Sequence, residues 1–534
     1  MSMSLTAGWD RATFAQHGMW ITERMGAGGR VYAMPLTLRL DGPLDTGAML
    51  AACAAAVERH PVLAAVLAER DGEVRLLPGK VPPSIRFEET PPEPGRLEDE
   101  VARPFDLESG PPARFTLFRL GAERHLLQIV AHHAVFDGVS KDLLLRDIAA
   151  AYGGSALAPL TPSCDEIARA EQGRVAAALE EAAEFWRPRW QDGQDLLLPG
   201  LTRTSLRAAP GDTVEFRLGG EVAAIAAHLG LTRFEVVLAA LHTLLYGYGN
   251  TRVTVAVDLS TRTEETREHV GAFVNELPVV SGPAGTFAEF ALSIREELRA
   301  IYRYREVPLA RALGGISPRS ALTPVSVSYR KRPAGDPSFA GLDASVDWMA
   351  ANGAVRNTLH LQVVDEADGT EGAEARLRFN PEILDRAACE DVAEQLRILL
   401  AGIAARPGAP LDELPLPPRV VPAGRVVPAG QADHGAVIAP VSGGEGASGE
   451  GAGGEGSGGE DAELLGQVTA IWCEVLGVDT VQPDDDLFDL GGHSLTITQI
   501  IARVRDGMGV ELSFEVFIDS PTVEGVAEEI ARAR

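Results

Sequence analysis

Between about Leu416 and Glu460 the chain has almost nothing to bury. It runs through proline, valine, glycine and alanine, then through GGEGASGEGAGGEGSGGE. Such a stretch cannot offset the entropy of ordering. It predicts a flexible, mildly self-repelling linker with a root-mean-square reach of about 35 to 40 Å. A 534-residue chain already exceeds what one hydrophobic core usually supports. The linker over 416–460 therefore predicts two separately folding parts, residues 1–415 and residues 461–534.

Charge narrows the partners. Acidic residues number 76 against 48 basic ones, a formal net charge of -28. That field repels phosphate backbones, so nucleic acid is not expected as a partner, and anionic membranes are disfavoured. Cys53, Cys164, Cys389 and Cys473 are far apart and form no CxxC pair. Neither a disulfide framework nor a zinc cluster is expected, and a reducing cytoplasm is the default location. The first residues, MSMSLTAGWDRATF, lack the basic start and apolar core of a signal peptide. No apolar run is long enough to span a bilayer.

The C-terminal part reads as a small helical bundle. Leu464, Leu465, Val468, Ile471, Trp472 and Val475 recur at spacings of three and four. Gly477 suits the end of that helix. A second stripe carries Ile497, Ile500, Ile501 and Val504, with Gly507 as its expected stop. A third helix is expected to begin at Ser520-Pro521, serine as N-cap and proline in the first turn. The segment is strongly acidic, with 15 acidic side chains against 4 basic ones. Asp489-Leu490-Gly491-Gly492-His493-Ser494-Leu495 stands directly before the second stripe, which puts Ser494 at a helix N-terminus. Free N–H groups and the helix dipole favour a negative group there. Taken alone, a serine in that position is more often a simple N-cap.

The N-terminal part mixes helices and strands. An Ala-rich helix is expected over 44–60, strands over 114–120 and 126–131, and helices over 143–152 and 175–190. Past residue 210 a strand (214–218), helices (222–229 and 234–248) and a strand (253–257) repeat the theme. Two α+β lobes fit, about 10–175 and 176–415. The sharpest motif is His132-His133-Ala134-Val135-Phe136-Asp137-Gly138, after the apolar run Leu126 to Ala131. Neighbouring side chains of a strand point to opposite faces, so only one histidine faces a given cleft. Asp137 lies past the strand end, where the chain is expected to turn at Gly138. A polar strand end is the plain alternative. A metal site lacks a nearby Cys or Glu to complete its ligands, so no metal is expected.

HHxxxDG resembles the motif of the chloramphenicol acetyltransferase-like superfamily. Further stretches resemble the nonribosomal peptide synthetase condensation domains within it: Phe14-Ala15-Gln16 with Met19-Trp20, Arg59-His60-Pro61-Val62-Leu63, and Pro104-Phe105-Asp106-Leu107 with Gly110-Pro111. So do Val270-Gly271-Ala272-Phe273-Val274-Asn275 and Phe379-Asn380 with Leu384-Asp385. Ala64 and Pro278-Val279-Val280 depart from the family pattern where arginines are usual. The DLGGHSL loop and its acidic bundle resemble a peptidyl carrier domain.

The resemblance implies a two-lobed condensation domain of α+β class with a tunnel between the lobes, a flexible linker, and an all-α four-helix carrier bundle. It implies amide formation between an upstream carrier's acyl or peptidyl thioester and an acceptor amine. His133 would sit at the reacting centre as base or positioning group, with His132 behind it. Asp137 would pair with Arg262 of the other lobe, and Gly138 would admit close backbone approach. Ser494 would carry 4'-phosphopantetheine. The implied partners are an upstream carrier protein, a separate adenylation enzyme and a phosphopantetheinyl transferase. Two alternatives remain: a degenerate condensation domain serving as a docking platform, and an acyl-CoA acyltransferase of the same fold, which leaves the fused carrier unexplained. An epimerisation domain normally follows its carrier, and a cyclisation domain replaces the histidines with aspartate.

Overall fold

The computed structural model describes residues 11–420 and 458–533. The exceptions are 27, 71–72, 192–195, 316–318, 333–334, 366–371, 477, 479, 484, 486, 488–489, 491–493, 511 and 513–515. One compact unit ends at Arg419 and another runs from Val420 to the C-terminus. Most of the expected linker thus lies outside the described residues.

The first unit is built on two sheets. The smaller has the order Asp343–Asp347, Ala33–Asp41, Arg124–His132, Ala113–Arg119, Ser84–Glu88. Its middle strand Arg124–His132 is buried on both faces. Leu127, Ile129 and Ala131 join the main core with helices Thr46–Arg59 and Gly138–Tyr152. On the other side Val130 packs with Val101 and Phe105, and the Gln128 amide donates to the Leu97 carbonyl at 3.0 Å. Double burial is why this strand reads in sequence as an apolar run interrupted only by Gln128 between Leu126 and Ala131.

The larger sheet has the order Val274–Ser281, Val253–Ser260, Val325–Lys331, Leu359–Asp365, Ala373–Phe379, Asp212–Leu218. Val325–Lys331 runs parallel to both its neighbours, and the outer pairs are antiparallel. Helices Arg233–Gly247, Phe287–Tyr302 and Arg386–Ala405 pack with it, and Glu221–Leu229 packs on Arg233–Gly247 and Arg386–Ala405. Arg233–Gly247 is buried nearly all round, from Val236 to Leu245. Thr232 starts it with a capping box to Glu235, which satisfies two of its open N–H groups.

Chain position does not separate the two sheets. The lobe boundary near residue 175 falls inside the helix Cys164–Trp186. Strand Asp343–Asp347 comes from the far half of the chain, yet it pairs antiparallel with Ala33–Asp41, Val346 opposite Leu38. The folded unit also extends past residue 415. A Cβ on Gly247 would lie only 2.7 Å from the Pro417 ring, so Pro417 packs where this helix has no side chain.

The second unit holds helices Gly458–Leu476, Ser494–Met508, Val516–Asp519 and Val523–Ala533. Its core joins Leu464, Val468, Trp472, Ile497, Val504, Phe517, Val526 and Ile530. Residues 458–460, expected as linker, are helical. Gly507 does not stop the second helix, which continues to Met508; the left-handed residue that ends it is Gly509, φ +70. The last helix begins at Val523 rather than at Pro521. The Pro521 carbonyl accepts the Leu487 N–H at 2.7 Å, which ties that residue to the preceding loop, and the Thr522 hydroxyl takes the capping role by accepting from Gly525 N–H at 3.1 Å. Among the described residues no single helix is long and apolar enough to cross a membrane.

Candidate active site

A cavity of about 270 Å³ is lined by residues of both sheets and their connections, among them Tyr32, His133, Lys141, Asp258, Arg356 and His360. The strand Arg124–His132 delivers the histidine motif to it. The strand stops at His132, and His133 opens a 3₁₀ turn, His133–Val135. The turn therefore separates the two rings, not the alternation of a continuing strand.

His132 points away from the cavity into the first lobe. The Ala134 N–H donates to its Nδ1 at 3.0 Å, so its Nε2–H donates to Glu23 Oε1 at 3.0 Å. Tyr32 and Phe105 pack on the ring. His132 is thus held at both ring nitrogens and shapes the turn. His133 lines the cavity. Burial, reinforced by the Arg356 guanidinium, holds its imidazole below the usual histidine range, with opposing pulls from Asp258 and Asp137. It is therefore neutral at pH 7. Its Nδ1 is buried without a hydrogen-bond partner among the described residues, which leaves Nε2 to serve the cavity.

Asp137 lies past the strand end, as expected, and caps the helix Gly138–Tyr152. Its Oδ1 accepts from the Ser140 N–H and hydroxyl, both at 2.7 Å. Arg262 Nη2 donates to Oδ1 at 2.8 Å and to Oδ2 at 2.9 Å, and the Phe273 N–H donates to Oδ2 at 3.1 Å. Arg262 also holds the Thr266 and His269 carbonyls, at 2.9 and 2.7 Å. One carboxylate thereby joins the histidine turn to the segment Arg262–Phe273 of the other lobe. The Ser140 hydroxyl, donating to Asp137, adds to the join by accepting from the Gly271 N–H at 3.0 Å.

Gly138 begins the helix and lines the cavity. A Cβ there would meet Arg330 Cδ at 3.5 Å, an ordinary contact. No close backbone approach demands glycine at this position; a side chain would instead occupy cavity space.

Behind the motif, His60 Nε2 reaches Asp147 Oδ2 at 2.8 Å while its Nδ1 accepts from the Val270 N–H at 3.4 Å. Burial lowers its pKa against the pull of Asp147. The resembling stretches around His60 and Val270 thus meet on the helix that Asp137 caps.

Sequence reasoning missed the charged wall opposite His133. Arg356 lies 3.0 Å from Glu276 Oε1 and 3.3 Å from Asp258 Oδ1. Burial raises the Glu276 carboxyl against the pull of Arg356. Lys141, one turn beyond Asp137, is 6% exposed. Burial and then Arg330 push its ammonium down to about 7, against Asp347 and Asp142. A lysine four residues after Asp137 on a helix capped at Asp137 was a readable signal, since that spacing returns it to the same face.

Lys141 also gives a stability test. Its folded pKa lies below the unfolded value of about 10.4. The desolvation cost is fully present where both states are charged, below about pH 7, and disappears where both are neutral. Lys141→Met should therefore raise Tm at pH 7, with the gain shrinking steadily towards pH 10. A gain independent of pH would show that packing, not charge, is responsible.

Ser494 is the first residue of the 15-residue helix Ser494–Met508. Asp489, Gly491, Gly492 and His493 of its motif lie outside the described residues. A serine opening a helix fits a covalently attached phosphodiester, because the open N–H groups of the first turn and the helix dipole favour the negative charge.

These features have counterparts in known proteins. Residues 10–420 match the family model of the condensation domain, and the chain belongs to that family. Residues 466–530 match the phosphopantetheine attachment site, so the chain couples a condensation domain to a phosphopantetheine carrier. It is 30% identical over 429 residues to tyrocidine synthase 3 of Brevibacillus parabrevis, covering 75% of this chain and 6% of that protein. It is 25% identical over 426 residues to bacitracin synthase 3 of Bacillus licheniformis, covering 75% of this chain and 6% of that one. The chain thus spans a small fraction of these curated relatives. The X-domain from teicoplanin biosynthesis shares the fold at TM-score 0.66 and 24% identity, over 77% of this chain and 98% of that one. The first condensation domain of the calcium-dependent antibiotic synthetase does so at 0.65 and 21%, over 76% and 99%.

Proposed function

We propose that this chain forms an amide bond between a carrier-bound acyl or peptidyl thioester and an acceptor amine, with the acceptor or product held on Ser494. The observation that carries the reading is a neutral, half-buried His133 on a cavity bounded by both lobes. The amine attacks the thioester carbonyl, the C–N bond forms, the C–S bond breaks, and the departing sulfur leaves as thiol. His133 accepts or orients the amine proton on its way to the sulfur. The 4'-phosphopantetheine arm on Ser494 supplies a thiol that holds its cargo as a thioester. Asp137 and Arg262 fix the turn that carries His133. Working partners would be an upstream carrier protein, a separate adenylation enzyme and a phosphopantetheinyl transferase. Cys53, Cys164, Cys389 and Cys473 are all free thiols, which supports a cytoplasmic setting.

Two measurements test the reading. Incubation with coenzyme A and a phosphopantetheinyl transferase should add one phosphopantetheine mass to the protein and none to Ser494→Ala; equal labelling of the variant would move the attachment site. The loaded protein, given a verified donor carrier, should then show the summed acyl mass on its own arm. Hydrolysis of the donor without transfer, with every donor tried, would refute amide formation.

A further inference from the structure

Two cations on the wall of the central cavity have no carboxylate of their own among the described residues. Lys141 is buried, and among the described residues no hydrogen bond or ion pair reaches its ammonium group. Its neighbour Asp142 is taken by Arg330. Asp347, the other carboxylate whose field it feels, stands beyond ion-pair distance and accepts from the Met349 N–H at 3.0 Å. Arg378, from the other sheet, lines the same cavity, and its guanidinium donates to two neutral oxygens, Asn352 Oδ1 and the Ala354 carbonyl. The remaining cavity arginines differ: Arg330 has Asp142, and Arg356 has both Asp258 and Glu276.

The carboxylates on the cavity wall, Asp137 and Asp258, are engaged by Arg262 and Arg356. His360 sits between the Ser326 and Ser328 hydroxyls, at 2.7 and 3.0 Å, and burial holds it neutral. In a chain of net charge -28, acidic residues are abundant, yet among the described residues none pairs with Lys141 or Arg378. An ammonium kept out of water without a partner is costly, and a ligand anion removes that cost.

We propose that Lys141, assisted by Arg378, binds a carboxylate on the tethered substrate, so that the domain selects an acyl or aminoacyl unit bearing a free acid. This rests on the amide-forming reading of the cavity and names its substrate class. The phosphodiester of the arm is the other anion within reach of the protein. The carboxylate is favoured because Lys141 and His133 line one small cavity, whereas the phosphate lies the full length of the arm from the thioester.

The test uses the full chain and phosphopantetheine thioesters in matched pairs: succinyl against succinamoyl as donors, glutamyl against glutaminyl as acceptors. Binding is measured by calorimetry, which needs no turnover. One acidic member should bind on the order of tenfold or more tighter than its neutral partner, the range of a charge-assisted hydrogen bond. The pair that responds identifies the donor or the acceptor side. Lys141→Met should bring that ratio close to one, and Lys141→Arg should restore part of it. No preference in either pair overturns the proposal. So does an equal loss for acidic and neutral members in Lys141→Met, the signature of a contact to the arm's phosphate. Single-turnover amide formation by the wild-type chain with the neutral pair separates the two readings. Amide without charge preference sinks only the carboxylate site, and charge preference without amide from any donor sinks only the reaction.

Discussion

Asp137→Ala should lose about 3 to 5 kcal/mol of stability in the condensation domain, the usual cost of breaking one side of a buried pair. The substitution strands more than one partner. Arg262 keeps a buried guanidinium without its carboxylate, and the Ser140 and Phe273 N–H groups lose their acceptor. Asp137→Asn should fall between wild type and alanine. It keeps a cap oxygen for the helix Gly138–Tyr152 and gives up the charge. Chemical denaturation of the three proteins, followed at the condensation domain, checks the order. An alanine variant as stable as wild type would mean that Arg262 finds another acceptor and that the two lobes are joined elsewhere. Amide formation should fall with stability, because the same carboxylate anchors the turn that carries His133.

His133→Ala should slow transfer from donor carrier to acceptor amine by roughly 10²- to 10⁴-fold if the imidazole moves a proton, and less if it only orients the amine. Phosphopantetheine loading occurs in the other folded unit, so it should be unchanged. His132→Ala offers the contrast. Its ring bonds Ala134 and Glu23 behind the turn, so its loss should appear first as a lower melting temperature. The pH profile adds a readout that packing alone would not move. Burial and Arg356 depress the His133 pKa, so its neutral form predominates at pH 7. Transfer, normalised to the free-amine fraction, should fall only as pH drops below about 6.5 and through the depressed value. Wild-type turnover by His133→Ala with a verified donor would remove the histidine from the chemistry.

The sequence made the histidine turn legible because its neighbours constrain it twice. The apolar run before it marks a strand, and Asp137-Gly138 after it marks the turn past the strand end. The strand reading nonetheless carried the alternation one residue too far, since His133 already belongs to the 3₁₀ turn. Arg262 was legible only through the resemblance; 125 residues separate it from Asp137, and no local pattern carries such a pairing. The wall formed by Arg356, Glu276, Asp258 and Arg378 was not legible. Each of these charged residues sits on or beside a strand where a solvated face is the ordinary expectation, and their convergence depends on sheet order. Sheet order depends in turn on a crossover that periodicity does not encode. In the carrier unit, the apolar stripes at spacings of three and four located the helices, while their ends were set by a loop carbonyl at Pro521 and by Gly509.

The pairing of Asp343–Asp347 with Ala33–Asp41 acts as a clasp. The later half of the chain finishes a sheet begun by the earlier half, so neither half is a self-sufficient piece. Cutting the gene between them would leave the first fragment with a bare strand edge, and such edges recruit other chains. Fragments expressed alone should aggregate, and the same fragments expressed together should reassemble through this strand. The clasp also ties the order of synthesis to the order of folding. The first sheet can close its edge only after residue 347 has left the ribosome, so its exposed edge strand is a hazard that nascent chains carry until then.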